Sequence, residues 1–182
     1  MNDTYSFRQA TIADTARIWV IIQQAKAQMY RENKQQWDES YPTPEHISDD
    51  INHGYAYVLC NEQNIIAYGA VVFDIEPAYQ IIVGKWLSDS SYVVVHRLAV
   101  AEEAKRRGIA TIFMQEVEKL SIEKNVYSFK ADTNFDNFYM QKIFEKCGFT
   151  YCGDITYQHG SRMAYEKLLS PLSSSSSTTA RS

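Results

Sequence analysis

The chain has 182 residues, 45% of them apolar, and a formal net charge of −4. That length and composition suit one soluble globular domain with a sizeable core, and the acidic balance argues against general nucleic-acid binding, which needs a basic face. No apolar run approaches bilayer-spanning length, the N-terminus has no signal-peptide pattern, and Cys60, Cys147 and Cys152 form neither a metal-ligand pattern nor a disulfide framework. Together these features predict a cytoplasmic protein with no bound metal and no membrane partner.

A strand near Tyr5 comes first. Thr11 and Asp14 then have the spacing of a capping box, with Asp in place of the usual Glu. Ile18, Ile22, Ala25 and Met29 line one face of the first helix. Thr43-Pro44-Glu45 reads as N-cap, first-turn proline and a favourable acid, so a second helix starts there and ends near Gly54. Tyr55 to Cys60 and Ile65 to Phe73 are strands joined in a hairpin by Asn61-Glu62-Gln63-Asn64. Asp74 to Ser91 is a less regular insertion containing Pro77, Gly84 and Trp86.

The next strand, Tyr92 to Val100, leads into Ala101-Glu102-Glu103-Ala104-Lys105-Arg106-Arg107-Gly108. Ile109, Ile112, Phe113, Val117 and Leu120 then share one helical face. A basic, glycine-containing turn therefore opens a helix. N–H groups at a helix N-terminus lack intrahelical partners and carry partial positive charge, which suits phosphate or pyrophosphate. Gly108 lets the backbone approach such an anion. Cations are unfavourable at this end of a helix, so three in a row point to an anionic ligand; the alternative is a solvated basic face.

Val126 to Ala131 is a further strand. Asp136 is the expected N-cap of a helix bearing Met140, Ile143, Phe144 and Cys147, with Gly148 as its left-handed terminator. Phe149 to Gln158 and Arg162 to Leu168 form a last hairpin around His159-Gly160-Ser161. The Ser/Thr-rich segment 170–182 lacks the apolar content to offset its chain entropy and is expected to be a disordered tail beyond a domain of residues 1–169.

The segment Lys105-Arg106-Arg107-Gly108-Ile109-Ala110, following Leu98-Ala99-Val100, resembles the signature of the GNAT superfamily of N-acetyltransferases, whose loop reads Arg/Gln-x-x-Gly-x-Gly/Ala. Lys105 replaces the usual Arg or Gln, and Glu102 stands where proline is common; neither change removes a backbone donor. Asp132 through Phe149 is similar to the family's second cofactor motif, an Asn followed by a helix ending Tyr-Glu-Lys-x-Gly-Phe. The resemblance implies an α/β (α+β) single domain from about Tyr5 to Leu169, with a mixed central sheet whose strands splay to admit a thioester. It implies acetyl-CoA as cofactor. Leu98, Ala99 and Val100 would present backbone amides to the acetyl carbonyl, and Lys105 through Thr111 would hold the pyrophosphate. Asn137, with Asn134 and Phe144 nearby, would meet the pantetheine arm.

Transfer to an amine requires removal of a proton from a group whose free pKa is near ~10.4, and a positioned base contributes ~10²–10⁴-fold. His96, on the strand before the loop, is the candidate base. His-x-Leu-Ala-Val is similar to the arylalkylamine N-acetyltransferase pattern, where a histidine has that role; the alternative is a structural strand histidine. Many relatives carry Tyr as general acid where Phe144 stands, and Tyr139 is on another helical face. A thiolate with pKa near ~8.5 can leave without one. Arg97 reads as a structural or cofactor-side charge. Trp37, Asp38, Glu39, Tyr41 and Trp86 could line the acceptor site, where aromatics and acids suit a cationic amine, or could simply pack. The expectation is an acetyl-CoA-dependent N-acetyltransferase acting on a primary amine of a small molecule or peptide, with a homodimer left open. The alternative is a non-catalytic acyl-CoA-binding regulatory module. A nucleotide-binding protein is disfavoured, because Gly-Lys-Ser/Thr at P-loop spacing is lacking.

Overall fold

The computed structural model describes residues 4–34 and 36–171. Its strands are β1 (Tyr5–Gln9), β2 (Ala56–Asn61), β3 (Asn64–Val72), β4 (Ile82–Gly84), β5 (Val93–Val100), β6 (Ser128–Thr133), β7 (Thr150–Tyr157) and β8 (Gly160–Leu168). They form one sheet in the order β1-β2-β3-β5-β6-β8-β7-β4. Every neighbouring pair is antiparallel except β5 with β6, so the sheet is mixed, as expected. The helices are α1 (Thr15–Arg31), α2 (Pro44–Asn52), α3 (Ile109–Glu123) and α4 (Phe138–Lys146). No helix among the described residues is long and apolar enough to cross a membrane.

The helical stripes read from sequence face the core, with Ala25, Met29, Ile112 and Leu120 only partly buried and Ile21 added to them. Ile18, Ile21 and Ile22 of α1 are fully enclosed, as are Phe113 and Val117 of α3; each such side chain stabilises the fold by about 2 kcal/mol. Along β5, Val93 joins this main core while Val94 joins a second cluster with Tyr79, Ile155 and Ala164. Both sides of the strand are therefore covered, which is why it reads as a continuous β-branched run.

Thr11 and Asp14 cap a 3₁₀ turn, Ile12–Asp14, that runs into α1. Asp14 accepts from the Thr11 N–H at 2.8 Å and pairs with Arg8 at 2.8 Å. The Arg8 hydrogen bond is the main force that lowers the Asp14 carboxyl to about 2. The folded value lies below the unfolded one, near ~3.9, so this stabilisation is complete above about pH 4 and is lost as pH falls towards 2. Because Arg8 is half-exposed, Asp14→Asn is expected to cost only about 0.5–1 kcal/mol at pH 7 and less at pH 3. Urea melts at the two pH values check this.

The insertion is more ordered than its composition predicts. It holds a 3₁₀ turn, Pro77–Gln80, and the edge strand β4, which has no counterpart in the predicted elements. Only three residues long, β4 has no period to read. It pairs Gly84 with Gly153 of β7, and a Cβ on Gly153 would lie 2.2 Å from the Val83 carbonyl oxygen. The close approach of these backbones requires glycine. The buried Glu166 carboxylate fastens the rest of the insertion, accepting from the Leu87 N–H at 2.6 Å and from the Ser88 hydroxyl at 2.6 Å.

Two further expectations are corrected or extended. The N-cap of α4 is Asn137, not Asp136: the Asn137 side chain accepts from the Met140 N–H at 3.3 Å, while Asp136 is exposed one residue earlier. Beyond β8, the Leu169 N–H donates to the Tyr127 carbonyl at 2.8 Å. The segment 172–182, most of the expected tail, lies outside the described residues.

Candidate active site

Two irregularities in β5 open a cleft in the sheet. Against β3, His96 pairs with Ala70 and Ala99 with Tyr68, so Arg97 and Leu98 together oppose Gly69 alone. This is a β-bulge, and Arg97 takes the left-handed conformation with φ 56°. Against β6, pairing covers only Val93 with Phe129 and Val94 with Lys130. From Val95 onward the β6-facing edge of β5 has no ladder partner, which is the expected splay. The cleft so formed, about 70 Å³, is lined by His96, Leu98, Thr133, Asn137 and Phe144, with Trp37 and Tyr41 among the other lining residues.

A buried polar cluster holds the bulge. Arg97 donates to both Asp50 oxygens, at 2.9 and 2.5 Å, and to the Tyr41 hydroxyl at 2.9 Å; Tyr68 also donates to Asp50. Left-handed backbone at a non-glycine residue costs on the order of 1–3 kcal/mol, and the bidentate pair supplies the compensating contacts. Of the two expected roles for Arg97, its contacts fit the structural one.

His96 shares a face of β5 with Val94, two residues earlier. Its Nε2 lies 3.2 Å from Glu76 Oε2, an insertion residue not anticipated as part of the site. The bond from His96 holds the Glu76 carboxyl below the usual carboxylate range, outweighing burial. Farther along the cleft, the nearly buried Asp132 accepts from Tyr79 at 2.7 Å and Tyr157 at 3.0 Å and pairs with Arg162 at 3.5 Å. Burial pushes both phenols up, so they remain donors.

At the other end of β5, Gly108 is the left-handed N-cap of α3, with φ 72°. A Cβ built there meets nothing within 4 Å, so an open space faces this helix start. Ile109 and Ala110 are buried beneath this helix start. Arg106 and Arg107 are exposed, and Thr111 is half-buried. Lys105 is turned away from full availability: its ammonium donates to Gln28 at 2.6 Å and pairs with Glu102.

Asn137 is 8% exposed, and its Nδ2 donates to Gln36 at 3.2 Å. The neighbouring Thr133 hydroxyl is buried in the cleft wall and has no hydrogen-bond partner. Unpartnered buried hydroxyls are costly, and this one fits a site that receives a polar ligand. Asn134 is absent from the lining; its carbonyl instead closes the turn before α4. Phe144 is in the lining, packed on Phe149 and Tyr165, and brings no hydroxyl. Tyr139 is 58% exposed and also outside the lining.

The expected acceptor residues divide. Trp37 and Tyr41 line the cleft. Asp38 is occupied by the Ser40 and Tyr41 N–H groups, and no contact places Glu39 in the lining. Trp86 packs over the Lys130 ammonium at 4.3 Å and donates to the Tyr79 carbonyl. Thr133, Asp132, Glu76 and Arg162 were not predicted. They become neighbours through strand pairing and a long insertion, and local spacing carries no trace of that.

Comparison with known proteins agrees with this geometry. A family model described as "Acetyltransferase (GNAT) family" matches residues 25–149. A GNAT-family acetyltransferase structure from Streptococcus agalactiae is 34% identical, covers 91% of this chain and 96% of its own, and superposes with a TM-score of 0.84. A putative acetyltransferase from Staphylococcus aureus is 27% identical over 90% and 99% of the chains, with a TM-score of 0.69. The NatC complex bound to Gag peptide and CoA shares the fold at 13% identity, over 91% and 99%, with a TM-score of 0.64. A search of curated proteins gave no match. With the family model spanning more than half the chain and a 34% identical structure covering nearly all of it, the chain belongs to the GNAT family of acetyltransferases.

Proposed function

We propose that this acetyltransferase moves the acetyl group of acetyl-CoA to a primary amine of a small molecule or peptide, with His96 as base. The observation that carries the reading is the alignment along one strand of His96, the unpaired edge of β5 and the glycine-capped start of α3. In this reading the amides from Gly108 to Thr111 hold the pyrophosphate, aided by Arg106 and Arg107. Thr133 and Asn137 meet the pantetheine arm in the cleft, and acetyl-CoA supplies an activated thioester. His96 accepts a proton from the acceptor ammonium, directly or through water. The free amine attacks the carbonyl, the C–S bond breaks as the C–N bond forms, the attacking nitrogen sheds its extra proton to solvent to leave the neutral amide, and the thiolate takes up a proton from solvent. Backbone N–H groups of the Leu98–Val100 stretch polarise the carbonyl, a contact worth about 3–4 kcal/mol. With Phe144 in place of a tyrosine, no dedicated acid serves the leaving sulfur.

Gly108→Glu tests the cofactor site. Its side chain enters the open space before α3 and adds like-charge repulsion, besides straining a left-handed position. Calorimetry is expected to show acetyl-CoA binding weakened by at least about tenfold, the equivalent of ~1.4 kcal/mol. Equal affinity in wild type and variant would contradict the assignment.

A further inference from the structure

We propose that Glu76 is the positioning residue for His96: its carboxylate accepts the Nε2–H and leaves Nδ1 as the ring nitrogen that takes the acceptor's proton. The proposal rests on the reading of His96 as base and assigns a role to the insertion between β3 and β5.

Glu76 is held at three points. Its backbone N–H donates to the Tyr92 hydroxyl at 2.9 Å, its Oε1 accepts from the Ala78 N–H at 3.3 Å, and its Oε2 meets His96 Nε2 at 3.2 Å. Tyr92 immediately precedes β5 and His96 lies within it, so the first and last of these contacts clamp a single residue against the strand. The arm bearing Glu76 is itself fixed, with Tyr79 bonded to Asp132 on β6 and the Trp86 N–H donating to the Tyr79 carbonyl at 2.8 Å. The His96 and Glu76 side chains are 20% and 21% exposed, enough to exchange protons yet confined in orientation.

The ionisable groups around the pair do not compete for His96. Arg97, on the same strand, is committed to Asp50 and Tyr41. Asp74 precedes the arm, and its Oδ1 accepts from the Ile75 N–H. From β6, β7 and β8, Asp132 takes Tyr157, Arg162 and Tyr79 as its partners. Among the described residues, Glu76 is the carboxylate paired with His96. Its carboxyl lies below the usual range, which keeps it ionised at neutral pH and makes it a weak proton acceptor itself. In the transfer, the acceptor N–H bond breaks, Nδ1–H forms, and the Glu76 carboxylate faces the resulting imidazolium through a charge-assisted bond.

The test is ¹⁵N NMR of the histidine rings in the full chain, with His96 among four histidines assigned from the His96→Gln spectrum. In wild type the neutral His96 ring is expected to carry its proton on Nε2. Glu76→Gln keeps the size but has one oxygen. With that oxygen held by the Ala78 N–H, its NH₂ faces His96 and favours the Nδ1–H form. The same variant, with melting temperature near wild type, is expected to lose about 10²-fold in kcat with acetyl-CoA and the fastest amine of a polyamine, aminoglycoside and amino-acid panel. KM for acetyl-CoA should stay unchanged. A tautomer that is the same in wild type and Glu76→Gln overturns the proposal. If His96→Gln lowers kcat but Glu76→Gln does not, this proposal fails and the base assignment stands. If the tautomer switches while neither variant changes kcat, the pairing is real, but both the base assignment and the positioning role fall.

Discussion

His96→Ala is expected to lower turnover at neutral pH by about 10²–10⁴-fold, with acetyl-CoA affinity nearly unchanged. An alkylammonium must lose its proton before it can attack, and at pH 7 only a small part of a free amine is neutral. In the proposed mechanism a base in the cleft removes that proton within the complex. His96 also precedes the bulge, on the side away from Gly108, so its loss leaves the proposed pyrophosphate cradle intact. The defect should shrink as pH rises, because solution then supplies the free amine. A pH–rate profile with one active acceptor decides the matter. Loss of the acidic limb in His96→Ala is the expected result; an unchanged limb would remove His96 from the mechanism.

The second large effect concerns stability. Asp50→Ala is expected to destabilise the fold by about 3–5 kcal/mol, the usual cost of stripping the partner from a buried ion pair. Asp50 is 4% exposed and answers both Arg97 and Tyr68, so the variant leaves a guanidinium and a phenol without their acceptor. At 2–4 °C per kcal/mol for a domain this size, the melting temperature should fall by roughly 10 °C. Arg97 occupies the bulge, so catalysis should fall with stability even below the melting transition. A melting temperature within two or three degrees of wild type, a shift of about 1 kcal/mol at most, would show that the bulge does not depend on this pair.

The parts of the molecule legible in sequence are those set by local period and capping. Ile109, Phe113 and Val117 mark α3, and Gly148 after α4 has the left-handed conformation expected of it, with φ 85°. The splay between β5 and β6 followed from the family resemblance rather than from the residues, since Val93 and Val94 look like any buried strand pair. Side-chain partnerships were not legible. Lys105 looks like a phosphate ligand until Gln28 and Glu102 are seen to engage it. Glu76 looks like a loop acid before a proline until strand pairing brings it against His96. Asn137 rather than Asp136 caps α4, because adjacent Asx residues have near-equal capping preference and tertiary packing chooses between them. The Lys105–Gln28 and His96–Glu76 contacts join residues 77 and 20 positions apart, and no spacing rule reaches that far.

The central claim is that the cleft transfers acetyl groups to amines. It is tested most directly by incubating the protein with acetyl-CoA and a panel of polyamines, aminoglycosides, amino acids and peptides, following free thiol and the mass of the acceptor together. The prediction is thiol release matched one for one by an acceptor heavier by a single acetyl group, for at least one primary amine. Tight acetyl-CoA binding with no acetylated acceptor anywhere in the panel would contradict it and leave an acyl-CoA-binding regulatory module, with Phe144 in place of a catalytic tyrosine, as the reading of this fold.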